Sequence, residues 1–381
     1  RFPDAMNMGN MDGMNMDHQT MNGKGISCTD LKEKDTKVPI KKFTLTAENN
    51  RLKLDNGQVI DAFTFNGSSP GPELRVQEGD RILVTLKNKN ISEGVTIHWH
   101  GVILPCSQDG VAGVTQDNVK LGQKFTYNFI VKEPGTFWYH SHQLSSTQTS
   151  KGLYGRLIVE PKKKTFEYDK DYAVTLQSID DIAMLNQKTK GILYKTKPGE
   201  KVRLRIVNST NNSHLLTVIG TLIKVVSLDG NDLNEPTWIS NQLLKIGGGQ
   251  RYDILFQIPK QGNVQVVSAE DDEMLKQSYH IAFGMKEEVK RDLSNLPIFN
   301  FSHYGSPKAD GISMQSKFDR IYNLKLGFGV GFLDEEPSVK FEINGKVSDE
   351  IPPIVVKEGD LVKIHFQNFM IGEHPMHLHG H

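Results

Sequence analysis

Four H-x-H pairs punctuate this chain: His98/His100, His140/His142, and the overlapping His377/His379 and His379/His381 of the stretch HPMHLHGH. With 13 histidines in 381 residues, chance placement gives about 0.4 such pairs. Imidazole binds Cu, Zn, Fe and Ni, and on a β-strand residues i and i+2 project from one face, so each pair can offer two nitrogens to one cluster. Trp99 then points away from His98 and His100, and Gly101 lets the backbone turn closely beside a metal. Three strands of this kind predict a polynuclear metal site.

The elements that must position these pairs are short. From Val38 onward, alternating apolar runs such as Ile82 to Leu86 are punctuated by Gly, Pro, Asn and Asp, which predicts an all-β sandwich or barrel. An internal repeat sharpens this reading. Gly79-Asp80 precedes Asn88 just as Gly199-Glu200 precedes Asn208 and Gly359-Asp360 precedes Asn368, and Leu121–Gly135 aligns without gaps on Gly248–Gly262. Three copies of one β-sandwich account for this. The expected division is a Met-rich tail and leader at 1–37, sandwiches at 38–162 and 163–290, a linker at 291–317, and a third sandwich at 318–381. In the first copy the second histidine pair begins 40 residues after His100, so its counterpart in the third copy would fall beyond His381. The chain therefore reads as a fragment, its third domain incomplete, since a sandwich without its later strands leaves open edges.

Composition narrows the function classes. Lys+Arg and Asp+Glu are equal at 45 each, so nothing points to nucleic acid or an anionic membrane. No apolar run reaches the length of a transmembrane helix. The chain opens on Arg1 without a charged-then-apolar leader, so its start is either processed or missing. Cys28 and Cys106 fit one disulfide in an oxidising compartment or two unrelated thiols. Residues 1 to about 25 carry half of the 12 methionines and cannot bury a core. They read as a flexible tail, or as thioethers that collect Cu(I) with the help of His18.

Together the motifs HWHG, HSH and HPMHLHGH, in this order, make the sequence resemble bacterial three-domain multicopper oxidases, laccase-like or cuprous oxidases, over residues 38–381. The resemblance implies tandem cupredoxin-like Greek-key β-sandwiches and four copper ions: one type 1, one type 2 and two type 3. It implies that His98 and His377 hold the type 2 copper, His100 and His140 one type 3 copper, and His142 and His379 the other. His374, three residues before His377, points away from the His377/His379 face on a regular strand and is assigned to the type 1 copper. The type 1 cysteine belongs to an H-C-H motif that is not reached by His381, and neither Cys28 nor Cys106 has its context, so the fragment alone is expected to be inactive. Asp109 is either a turn residue before Gly110 or the acid that assists proton delivery to the cluster.

The activity so implied couples one-electron oxidation of phenols, aromatic amines or Cu(I) to four-electron reduction of O2 to water, outside the cytoplasm: secreted, periplasmic or at the cell surface. Zinc cannot cycle single electrons and does not suit it. The alternative is a non-enzymatic protein that sequesters copper for resistance. A copper nitrite reductase also stacks such domains but has no need of these histidine pairs. His214, His280, His303 and His365 read as ordinary surface or satisfied core residues, His381 as outside the ligand set, and Trp138 and Tyr139 as core packing.

Overall fold

The computed structural model describes residues 30–31, 33, 36–284, 292–293, 295–308, 311–313, 315–333, 336–347, 350–352 and 354–380. The Met-rich segment, His18, Cys28 and His381 lie outside the described residues. Two units emerge, one of residues 26–308 together with 377–381 and one that holds residues 309–376. The expected third domain thus divides, its last five residues grouping with the first unit.

The first sandwich of the larger unit comprises β1 (Ile40–Lys53), β2 (Val59–Phe65), β3 (Leu74–Gln77), β4 (Arg81–Asn88), β5 (His98–His100), β6 (Lys124–Ile130), β7 (Gly135–His140) and β8 (Tyr154–Glu160). Sheets of order β2-β1-β4-β6 and β3-β8-β7-β5 face each other. Strand alternation decides what lies between them: Ile82, Val84 and Leu86 of β4 meet Trp99 of β5, Phe137 and Tyr139 of β7 and Leu157 of β8 in one buried core.

The second sandwich comprises β9 (Lys170–Ile179), β10 (Ile182–Leu185), β11 (Ile192–Tyr194), β12 (Lys201–Asn208), β13 (His214–Ile219), β14 (Ile223–Leu228), β15 (Asn231–Asp232), β16 (Leu244–Ile246), β17 (Arg251–Gln257), β18 (Val264–Ser268) and β19 (Ile281–Phe283). Its sheets run β10-β9-β12-β17-β14-β15 and β11-β19-β18-β13-β16. Val202, Leu204 and Ile206 of β12 enter its core. Arg203 and Arg205 leave by the opposite face and are nonetheless buried. Buried charge must be paired, and here Arg203 donates to Asp253 (2.6 Å) and Arg205 to Asp171 (2.8 Å) and to Thr136 of the first sandwich (2.8 Å).

Residues 291–317 were expected to link. Residues 297–306 instead pack on the second sandwich: Phe299 is buried with that core, its N–H bonds Leu243 O, and the Tyr304 hydroxyl donates to Thr237 O. Burying two aromatic rings outweighs the Pro- and Ser-rich appearance of the segment.

In the smaller unit β20 (Arg320–Leu333) pairs antiparallel with β21 (Glu336–Ile343) and parallel with β22 (Val362–Asn368). The sequence repeat finds its cause here. β4, β12 and β22 each run parallel to the strand that opens their copy. Before each, the acid accepts the N–H three residues back, Asp80 from Gln77, Glu200 from Lys197 and Asp360 from Lys357. After each, the Asn side chain closes the next turn, donating to Ile91 O, Asn212 O and Gly372 O respectively. No described helix is long and apolar enough to cross a membrane. Cys106 is disulfide-bonded.

Candidate metal centre

Antiparallel pairing of β5 with β7 sets His98 opposite His140. His98 is fully buried and His140 nearly so. Alternation along β5 turns Trp99 into the core, where its ring meets Tyr127, Phe129 and Tyr139. Among the described H-x-H pairs, only His98/His100 lies wholly on a strand. His140 is the last residue of β7, His142 lies beyond it, and residues 374–380 form no strand, contrary to the expectation of three strand-borne pairs. Pro375, which lacks an N–H, disfavours pairing there.

The imidazoles converge all the same. His98 Nε2 and His377 Nε2 are 3.3 Å apart, and His100 Nδ1 and His140 Nε2 are 3.4 Å apart. The rings of His142 and His379 approach to 5.0 Å between centroids, and His377 stacks on His100 at 3.8 Å. Ligand nitrogens of His98, His100 and His140 fall within 4.8 Å of one another, as do those of His98, His377 and His379. Two nitrogens bound to one ion at about 2.0 Å each, with a tetrahedral angle between them, stand about 3.3 Å apart. The spacing therefore fits shared metal ions, and an all-imidazole donor set suits copper.

Hydrogen bonds on the far side fix which nitrogen faces inward. His98 Nδ1 is 3.0 Å from Asp109 O, His379 Nδ1 is 2.8 Å from Asp109 Oδ2, and His140 Nδ1 is 2.9 Å from Ser141 O. Such outer partners orient metal-binding imidazoles. Burial alone would raise the Asp109 carboxyl, but the hydrogen bonds from His379 and His98 hold it far below the usual carboxylate range. Desolvation, reinforced by neighbouring imidazoles and, for His100 and His377, by the Arg251 charge, lowers His100 and His140 well below 6.5, His142 to about 4 and His377 to about 3. At neutral pH these rings are uncharged, with lone pairs available to a cation.

His374 belongs to the smaller unit and is exposed. It joins no group of potential ligands among the described residues. His214 is buried and bonded to Thr210 and Glu270, His280 to Gln265 and His365 to Asn323, while His303 lies in a short exposed 3-10 turn. Tyr139 packs in the core as expected, its hydroxyl on Pro72 O. Trp138 does not. Two positions before His140, it shares that residue's face and lies against His100 (5.0 Å) and His140 (4.3 Å). Strand parity could have revealed this. Arg251, beside His100, carried no such signal, because only folding brings it there.

Multicopper oxidase family models match residues 46–164, 135–282 and 330–381. The chain belongs to the multicopper oxidase family, and its sandwiches are cupredoxin-like. It is 46% identical over 335 residues to L-ascorbate oxidase of Cucurbita pepo var. melopepo, covering 73% of this chain and 57% of that one. To copper resistance protein A of Escherichia coli it is 27% identical over 296 residues, covering 60% and 47%. The chain thus spans about half the length of these relatives. The crystal structure of the blue copper oxidase from Nitrosomonas europaea shares the fold with a TM-score of 0.59 at 24% identity, covering 71% of this chain and all of that one.

Proposed function

We propose that the whole protein to which these residues belong is a copper-dependent oxidase that takes electrons singly from a small reductant and reduces O2 to water. The observation that carries the reading is the pairing of imidazoles. The three pairs that the sequence resemblance assigns to three separate coppers, His98/His377, His100/His140 and His142/His379, are close neighbours here. Copper, when bound, would supply one-electron cycling at a potential that its surroundings tune. His374, three residues outside this set, is assigned to the type 1 copper.

The chain's own residues prepare the site. Burial keeps the imidazoles of His100, His140, His142 and His377 neutral, and Asp109 holds His98 and His379 in register. Its carboxylate carries no proton at rest, so a role in proton delivery requires that it first receive one from outside and hand it on. The reductant is a phenol, an aromatic amine or Cu(I). The likeness to copper resistance protein A and the methionines of residues 1–25 favour Cu(I). A disulfide at Cys106 fits a place outside the cytoplasm.

The test is copper loading of the whole protein followed by O2 uptake with Cu(I) or a phenol as sole reductant. Four bound coppers and four electrons consumed per O2 support the oxidase. Copper binding with no O2 uptake would leave sequestration as the function.

A further inference from the structure

We propose that Arg251 is the positioning residue through which the second sandwich, which gives no imidazole to the cluster, fixes the His100–His140 half of the metal centre. The inference rests on the copper reading above.

Arg251 opens β17 and is buried, 4% exposed. Its Nε donates to Thr136 O (3.1 Å), its Nη1 to Gly249 O (3.1 Å) and its Nη2 to Asp229 O (2.8 Å). Thr136 lies on β7, the strand that ends at His140, whereas the other two acceptors belong to the second sandwich. One planar fork thus ties both sandwiches together beside the cluster.

The neighbourhood is shaped to receive it. A Cβ placed on Gly101, the residue after His100, would stand 2.2 Å from Arg251 Nη2, so the missing side chain is the space the guanidinium fills. A Cβ on Gly249 would stand 3.2 Å from His100 Cε1, so this loop packs on the imidazole itself. The Phe137 ring, 6.0 Å from Cζ, closes another side. Desolvating a guanidinium is costly, and its one carboxylate contact, Asp229 Oδ1 at 3.4 Å, belongs to a half-exposed side chain. Lysine keeps the charge but cannot reach three carbonyls on three segments.

The experiment compares wild type, Arg251→Lys, Arg251→Met and Gly249→Ala in the full chain. It measures copper affinity by competition with a chromophoric chelator, the visible and EPR spectra of the loaded protein, and the melting temperature. Outer residues that orient metal ligands typically change affinity about 10- to 100-fold. Both Arg251 variants should show a loss of that order with altered spectra, at temperatures where they remain folded, and Lys should not rescue Met. Gly249→Ala, which presses on His100 from a backbone at φ 80° that also supplies one of the fork's acceptors, should weaken binding as well. If Arg251 only seals the interface, melting will drop while affinity and spectra stay at wild-type values, and the proposal is overturned. Should Arg251→Met yield no folded protein, Arg251→Lys and Gly249→Ala decide: wild-type affinity in both overturns it. A wild-type chain that binds no copper refutes the copper reading instead, a result distinct from either.

Discussion

Asp109 Oδ2 lies 2.8 Å from His379 Nδ1, although the two are 270 positions apart in the chain. The same carboxylate reaches His98 Nδ1 at 3.2 Å, so one buried acid orients one imidazole from each end of the sequence.

Asp109→Asn keeps the shape and removes the charge. We expect copper affinity to fall about 10- to 100-fold, the usual cost of losing an outer partner of a metal-bound imidazole. Titration against a chromophoric chelator measures it. An unchanged affinity would show that Asp109 orients nothing.

His98 belongs to both groups of converging nitrogens. His98→Ala should therefore release more chelator-resistant copper per chain than His142→Ala, while His214→Ala, remote from the cluster, should release none. Metal analysis after chelator washing reads the difference. Equal losses from His98→Ala and His214→Ala would contradict the site as drawn.

The Tyr127 hydroxyl accepts the Ile97 N–H at 2.7 Å, immediately before His98. Tyr127→Phe strands a buried donor, at a cost of about 1–3 kcal/mol. The denaturation midpoint should drop with copper stoichiometry preserved, and a midpoint equal to wild type would refute the account.

Acid should weaken the fold through Asp171. Burial alone would raise its carboxyl, but Arg205 at 2.8 Å and Arg75 at 3.1 Å hold it below 3.8. A depressed carboxyl contributes stability above the unfolded value, and that contribution fades as pH falls through the folded one. Asp171→Asn should cost roughly 2–3 kcal/mol at neutral pH, less than a fully orphaned buried charge because Asp253 still neighbours Arg205. The gap in melting temperature between wild type and variant should narrow below pH 4. A gap that stays constant to pH 2 would exclude this pair as its source.

Much of the fold was legible because strand alternation and the repeated Gly-acid-to-Asn spacing are local signals, and each repeated residue turns out to close a local turn. The histidine pairs were legible for a related reason: their density exceeds chance whatever the fold. What could not be read is what depends on distant segments meeting. Nothing near position 251 announces that its side chain will lie beside His100, and the Phe299 and Tyr304 rings look like linker residues until the second sandwich offers them a surface. HPMHLHGH misled in the opposite direction, its alternation suggesting a strand that Pro375 helps to prevent.

The charged seam of Arg203, Arg205, Asp253 and Asp171 against Thr136 has a consequence for how the larger unit comes apart. Drawing the two sandwiches away from each other would break the bonds that cross between them, those of Thr136 with Arg205 and Asp253 and that of Arg75 with Asp171, before either apolar core had loosened. Partial separation is thus an unfavourable species on the way to unfolding. Heat or urea should take both sandwiches in a single cooperative step, with one denaturant slope sized for their combined surface.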